Sequence, residues 1–151
     1  PDLMDEASQY IDTLWDCAFQ DDTHADKFWI KAARSYVSGL TYALFDNATS
    51  ADEINIDSIA NIMNDAEKRM MSGNLLKEFY NLLPNDSLSK RNLSTYVTGP
   101  TDTRASIQSV TDGDFKDFSS SKGLMKMLSQ DTLDICHFNP NKPFALYIII
   151  N

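Results

Sequence analysis

Apolar positions in residues 28–47, FWIKAARSYVSGLTYALFDN, recur one, three and four apart: Phe28, Ala32, Ala33, Tyr36, Val37, Leu40, Ala43 and Leu44. That spacing lays a continuous apolar stripe along one side of a helix. Lys31, Arg34, Ser35, Ser38 and Thr41 fall largely on the opposite side, which the pattern leaves to solvent. Asp26 stands where an N-cap belongs, and Asp46-Asn47 followed by Thr49 and Ser50 supplies the stop. A helix of about twenty residues is about 30 Å long, enough to cross a small domain. No other stretch keeps the pattern for as long, so it predicts a spine on which the rest packs.

Residues 3–18 predict a first helix, antiparallel to the spine. Leu3, Ala7, Tyr10, Ile11, Leu14, Trp15 and Ala18 keep the 3.6 period, with Asp2, Asp5 and Glu6 in the first turn where the helix dipole favours them. A polar link, Gln20 to His24, joins the two. Ile54, Ile56, Ile59, Ile62 and Met63 mark a short helix opened by Asn55 or Asp57. Residues 66–83 predict a longer one, with Met70, Leu75, Leu76, Phe79, Leu82 and Leu83 apolar, Gly73 as a weak point and Pro84 as its end. Residues 87–97 predict a further helix, stopped by Thr98-Gly99-Pro100-Thr101. The next is capped by Thr101 or Asp102 and buries Ile107, Val110, Phe115 and Phe118, with Gly113 weakening its middle.

The character changes at Ser119-Ser120-Ser121. Leu124, Met127 and Leu128 form an apolar group, and Asn139-Pro140-Asn141-Lys142-Pro143 leads into FALYIIIN, residues 144–151. A continuous run of this kind bounded by Pro and Asn reads as a strand buried on both faces, as in parallel α/β sheets. No second strand of comparable quality is available to pair with it, so its sheet is expected to belong to a larger protein. The start at Pro1-Asp2 and the stop just after an apolar run read the same way. The expected fold is mainly α, a bundle of about five to seven helices in residues 1–143, with residues 144–151 as a strand that belongs to the sheet of a larger parent protein.

A chain of 151 residues with 42% hydrophobic composition can bury a substantial core. The 22 acidic and 13 basic side chains give a net charge of −9. Nucleic-acid binding draws on clustered Lys and Arg that release counterions from phosphates, and the adjacent basic pairs here are only Lys68-Arg69 and Lys90-Arg91. A basic protein is the electrostatically easier partner. No apolar run reaches the ~20 residues that span a bilayer, so no membrane contact is expected from this segment.

The sequence holds no G-x-x-x-x-G-K-[ST], G-x-G-x-x-G, H-E-x-x-H, C-x-x-C or G-x-S-x-G. Cys17 and Cys136 read as separate reduced thiols, and His24 and His137 as loop or surface histidines without partners at useful spacing. No catalytic, cofactor-binding or metal-ligating residue is assigned, and no cofactor is expected. Carboxylates cluster at Asp16, Asp21, Asp22 and Asp26, and again at Asp112, Asp114 and Asp117. The second group departs from the D-x-[DN]-x-[DN]-G calcium loop. These residues read either as a solvated face with helix caps or as a docking surface for a basic protein. Trp15, Phe28, Trp29 and Tyr36 form an aromatic group fit for a core, with Trp29 as the residue that could also anchor a partner.

Asp26 to Arg34, DKFWIKAAR, followed by the apolar helix through Leu44, resembles the start of the all-α domain of TraG-type coupling ATPases of type IV secretion and conjugation systems. Residues 103–110, TRASIQSV, are similar to that family's T-x-x-S-I segment, and residues 141–150, NKPFALYIII, to the strand that returns the chain to the ATPase domain. The long loops are closest to those of Gram-positive members. The resemblance implies a cytoplasmic domain, inserted in a RecA-like motor of a membrane-anchored protein, that recognises a relaxase or a relaxosome accessory protein as cargo. The family's Walker residues lie outside the corresponding segment, so the resemblance transfers no catalytic residue and implies no ATPase activity for the fragment by itself. Trp29, Arg34, Arg104 and Ser106 match motif positions. The alternative is a structural or DNA-contacting helical module at the mouth of the hexameric motor.

Overall fold

The computed structural model describes residues 3–18, 27–70, 73–119, 122, 123 and 126. These are mainly helical, in the order α1 (Leu3–Ala18), α2 (Lys27–Asn47), a 3-10 turn (Ala51–Glu53), α3 (Ile56–Ala66), β1 (Arg69–Met70), β2 (Gly73–Asn74), α4 (Leu75–Leu82), α5 (Leu88–Thr98) and α6 (Thr101–Ser119). The mainly α bundle expected from the periodicity is therefore observed. The expected strand at 144–151 lies outside the described residues.

Helix α2 is the spine, and α1, α3, α5 and α6 all pack on it. Helix α1 runs antiparallel to it: Ser8 meets Tyr42, with the two hydroxyls 3.0 Å apart, while Asp12 meets Arg34 further along. Helix α5 is also antiparallel, since Ser35 Oγ donates to Asn92 O and Ser89 Oγ donates to Gly39 O. The core gathers Tyr36, Val37 and Leu40 of α2 with Ile59 and Met63 of α3, Leu76 of α4, Leu93 and Tyr96 of α5, and Ile107 and Phe115 of α6.

Being enclosed by four helices, α2 is buried on more than one side. Ser38 and Thr41, expected in solvent, are buried. Thr41 Oγ1 donates to Val37 O, one turn back, so its hydroxyl needs no water. In contrast Phe28, expected in the stripe, is 54% exposed, while Trp29 beside it packs against the core.

Short side-chain caps define the smaller helices. Asn55 accepts from Ser58 N to open α3, Asn74 from Lys77 N to open α4, and Ser87 from Lys90 N to open α5. The single helix expected over 66–83 is replaced by a break. Glu67 ends α3, and β1 pairs antiparallel with β2 in the register Arg69 to Asn74 and Met70 to Gly73. Gly73 sits at φ +156°, a conformation that side chains with a Cβ rarely adopt, and Asn74 then caps a new helix. Met70 and Leu82, read as core positions of that longer helix, are exposed, and Leu75 is only part-covered. Gly113, expected to weaken α6, is passed without interruption.

Candidate functional site

The surface offers three regions built by different helices. The first is the start of α2, where the Phe28 and Trp29 rings meet edge to face with centroids 4.9 Å apart. Trp29 is half-buried and packs against the core, so the exposed aromatic here is Phe28. Sequence reasoning favoured Trp29 because an aromatic at the first turn has no neighbour in the pattern to decide its direction. Nearby, Arg34 donates to Asp12 at 2.6 Å and lies over the buried Trp15 ring at 5.5 Å. Asp16 is exposed on the last turn of α1. Asp21, Asp22 and Asp26 lie outside the described residues.

The second region is on α6. Asp112 is exposed, while the side chains of Asp114 and Asp117 are not among those described. Partial burial holds the Asp112 carboxyl above the usual carboxylate range. Beneath it, the rings of Tyr36 and Tyr96 stack with centroids 4.0 Å apart at 16°. Tyr96 Oη donates to the Glu67 carboxylate at 3.0 Å, and Gln108 stands 3.3 Å away. Tyr36 Oη is buried without a well-aligned hydrogen bond among the described residues, and interacts with the Tyr96 hydroxyl. Burial is the main reason both phenols are raised well above the ordinary tyrosine value, with Glu67 adding to it. The two acidic clusters therefore sit on α1 and α6 in the two residues that can be placed, Asp16 and Asp112, each helix packing on α2.

The third region is an open groove of about 460 Å³ between the C-terminal half of α2, α3 and the first turns of α4. Its floor and walls are apolar, from Leu40, Ala43 and Leu44 on α2, Ile62 on α3, and Leu75 and Phe79 on α4, while Asn47, Asn61 and Asp65 edge it. The sequence did carry a signal for it. On α4, Leu76 faces the core, joined by Leu83 just past the helix end, and Leu75, Phe79 and Leu82 form a second stripe beside it. One helix needs only one such stripe to join a core, and the second one is left facing outward.

Three basic side chains are engaged within the fold. Lys68 pairs with Asp65, and Arg34 with Asp12. Lys90 donates to Leu83 O at 2.8 Å and to Asn85 Oδ1 at 3.0 Å, and sits over the Tyr80 ring. Among the described residues no group of three His, Cys, Asp or Glu side chains could hold a metal, and no helix is long and apolar enough to cross a membrane.

These features define a helical, acidic module with apolar surface left open beside its core. The family model for conjugative DNA transfer by the type IV secretory system matches residues 2–151. The chain belongs to that family. Comparison with curated proteins and with solved structures gives no match.

Proposed function

We propose that the chain is the cargo-recognition domain of a TraG-type coupling protein, docking the relaxase or a relaxosome accessory protein for transfer to the secretion channel. Its place is the cytoplasmic side of a membrane-anchored ATPase, whose motor domain hydrolyses ATP while this domain does not. The observation that carries the docking reading is the charge balance: 22 acidic side chains against 13 basic ones give a net charge of −9, and Arg34, Lys68 and Lys90 already meet acceptors of the fold itself. A surface built to hold DNA would present such residues to phosphates. A surface of carboxylates with exposed apolar residues suits a basic protein.

Asp16 and Asp112 are the exposed carboxylates of the docking face in this reading, with Asp21, Asp22, Asp26, Asp114 and Asp117 beside them in sequence. The aromatic contact passes from Trp29, which packs on the core, to Phe28. Co-purification of the tagged chain with the relaxase and with each accessory protein of its own transfer system tests the proposal. Retention of one of them supports it. Retention of none, together with phosphate release from ATP by the chain alone, contradicts it.

A further inference from the structure

The apolar groove between α2, α3 and α4 lies open among the described residues, and its chemistry specifies an occupant. Leu75, Phe79 and Leu82 stand at i, i+4 and i+7 on one stripe of α4. Leu75 is 39% exposed, Phe79 lines the groove, and Leu82, at 84% exposed, continues the row beyond it. A row with that spacing facing a trough is the geometry into which another helix lays its own apolar face. The space of about 460 Å³ is some three times the ~150 Å³ that accommodates a benzene, so it takes about three large aliphatic or aromatic side chains.

The charges around the groove decide between occupants. Residues 44–79, which supply most of its wall, hold Asp46, Asp52, Glu53, Asp57, Asp65, Glu67 and Glu78 against Lys68, Arg69 and Lys77. Asp65 lies on the edge itself, in an exposed pair with Lys68 that a basic side chain of the occupant would exchange for, and Asp57 accepts from the edge residue Asn61. A second copy of the chain would bring the same carboxylates and a further net charge of −9 against them. Like charges brought face to face in this way oppose association, whereas Lys and Arg along the flanks of an incoming helix are attracted to them.

We infer that this groove is the docking site for an amphipathic helix of the cargo protein, bearing an apolar stripe flanked by Lys and Arg. The inference rests on the docking reading above and deepens it by naming the face and the segment chemistry. The apolar stripe of the cargo helix packs between α2 and α4, and its basic flanks meet Asp57 and Asp65.

The probe is a fluorescein-labelled peptide of about 18 residues, long enough for five helical turns, with Leu on one stripe and Lys elsewhere. Its comparators are a scrambled peptide of the same composition and one with Glu in place of Lys. Anisotropy with the wild-type chain is expected to show the patterned peptide binding at least tenfold tighter than either comparator. Leu75→Ser with Leu82→Ser, two exposed positions whose change leaves the helical circular dichroism intact, lowers that affinity at least tenfold. Asp57→Asn with Asp65→Asn lowers it about threefold and flattens its salt dependence. Equal binding of the scrambled peptide, or no effect of the leucine changes, overturns the inference. A chain that sediments as a dimer and becomes a monomer with those changes also overturns it, in favour of a second copy. The relaxase or accessory protein that co-purifies provides the separating arm. If it binds but is neither weakened by the leucine changes nor displaced by the peptide, the groove assignment falls and the docking reading stands. If the peptide binds the groove and neither cargo protein binds the chain, the docking reading falls.

Discussion

Gly39 of α2 lies against Leu93 of α5 so closely that a Cβ on the glycine would stand 2.7 Å from Leu93 Cγ and 3.0 Å from its backbone nitrogen. The same stretch is joined by the Ser89 hydroxyl donating to Gly39 O. The spine and its main partner helix thus meet backbone to side chain, and α5 owes its buried position to a residue without a side chain. Gly39→Ala is expected to destabilise the domain by about 1–3 kcal/mol, because the overpacking outweighs the better helix propensity of Ala. Gly113→Ala, where nothing among the described residues lies within 4 Å of the added methyl, is expected to stabilise α6 by about 0.5–1 kcal/mol. Urea denaturation of the two variants checks the opposite signs.

The stacked tyrosines predict a contrast between two hydroxyl deletions. Tyr96→Phe removes the donor to Glu67 and is expected to cost about 1 kcal/mol. Tyr36→Phe removes a buried hydroxyl that lacks a well-aligned hydrogen bond and interacts with the Tyr96 hydroxyl, and is expected to cost less than Tyr96→Phe. Thermal melts of both variants decide this.

The raised tyrosines also set the alkaline limit of the fold. Both phenols are held neutral in the folded state above the value they have when unfolded, chiefly by burial. The unfolded chain therefore releases these protons first, and stability falls as pH rises past about 10. Absorbance near 295 nm is expected to show tyrosines that ionise only together with unfolding, a step reduced in the Tyr36→Phe, Tyr96→Phe double variant to what Tyr10, also raised by burial, contributes.

Asp112 carries the reverse expectation for a carboxylate at neutral pH. Partial burial raises its folded-state pKa, so ionisation favours the unfolded chain as pH rises through the carboxylate range. Asp112→Asn is then more stable than the parent at pH 7, and the difference disappears at pH 3. Denaturation midpoints at the two pH values measure it.

Much of this architecture is written in hydropathy, and the exceptions have local causes. The limits of α1, the length of α2 and the Asn55 cap of α3 follow from apolar period and capping chemistry alone. The burial of Thr41 and Ser89 does not, because each satisfies its hydroxyl on a helix carbonyl, and pattern reading scores a polar residue as wet. The break at residues 67–74 was signalled only by Gly73 as a weak point, because both flanks are good helix formers and the Asn74 side chain that caps α4 is one polar residue among many. Of the candidate docking residues, Asp16 and Asp112 were legible as exposed, and Trp29 was not separable from Phe28 because both stand in the first turn. The groove was visible only as a second apolar stripe on α4, which becomes surface once Leu76 and Leu83 have claimed the core.

The central claim, that this domain docks a protein rather than DNA, is tested most directly by titrating the labelled chain with its own system's relaxase and with a single-stranded oligonucleotide at 50 and 200 mM salt. The account predicts saturable binding of the relaxase at both salt concentrations and negligible binding of the oligonucleotide. Oligonucleotide binding that falls by roughly a thousandfold or more between the two salts, as several phosphate contacts would cause, with no binding of the relaxase, would contradict it.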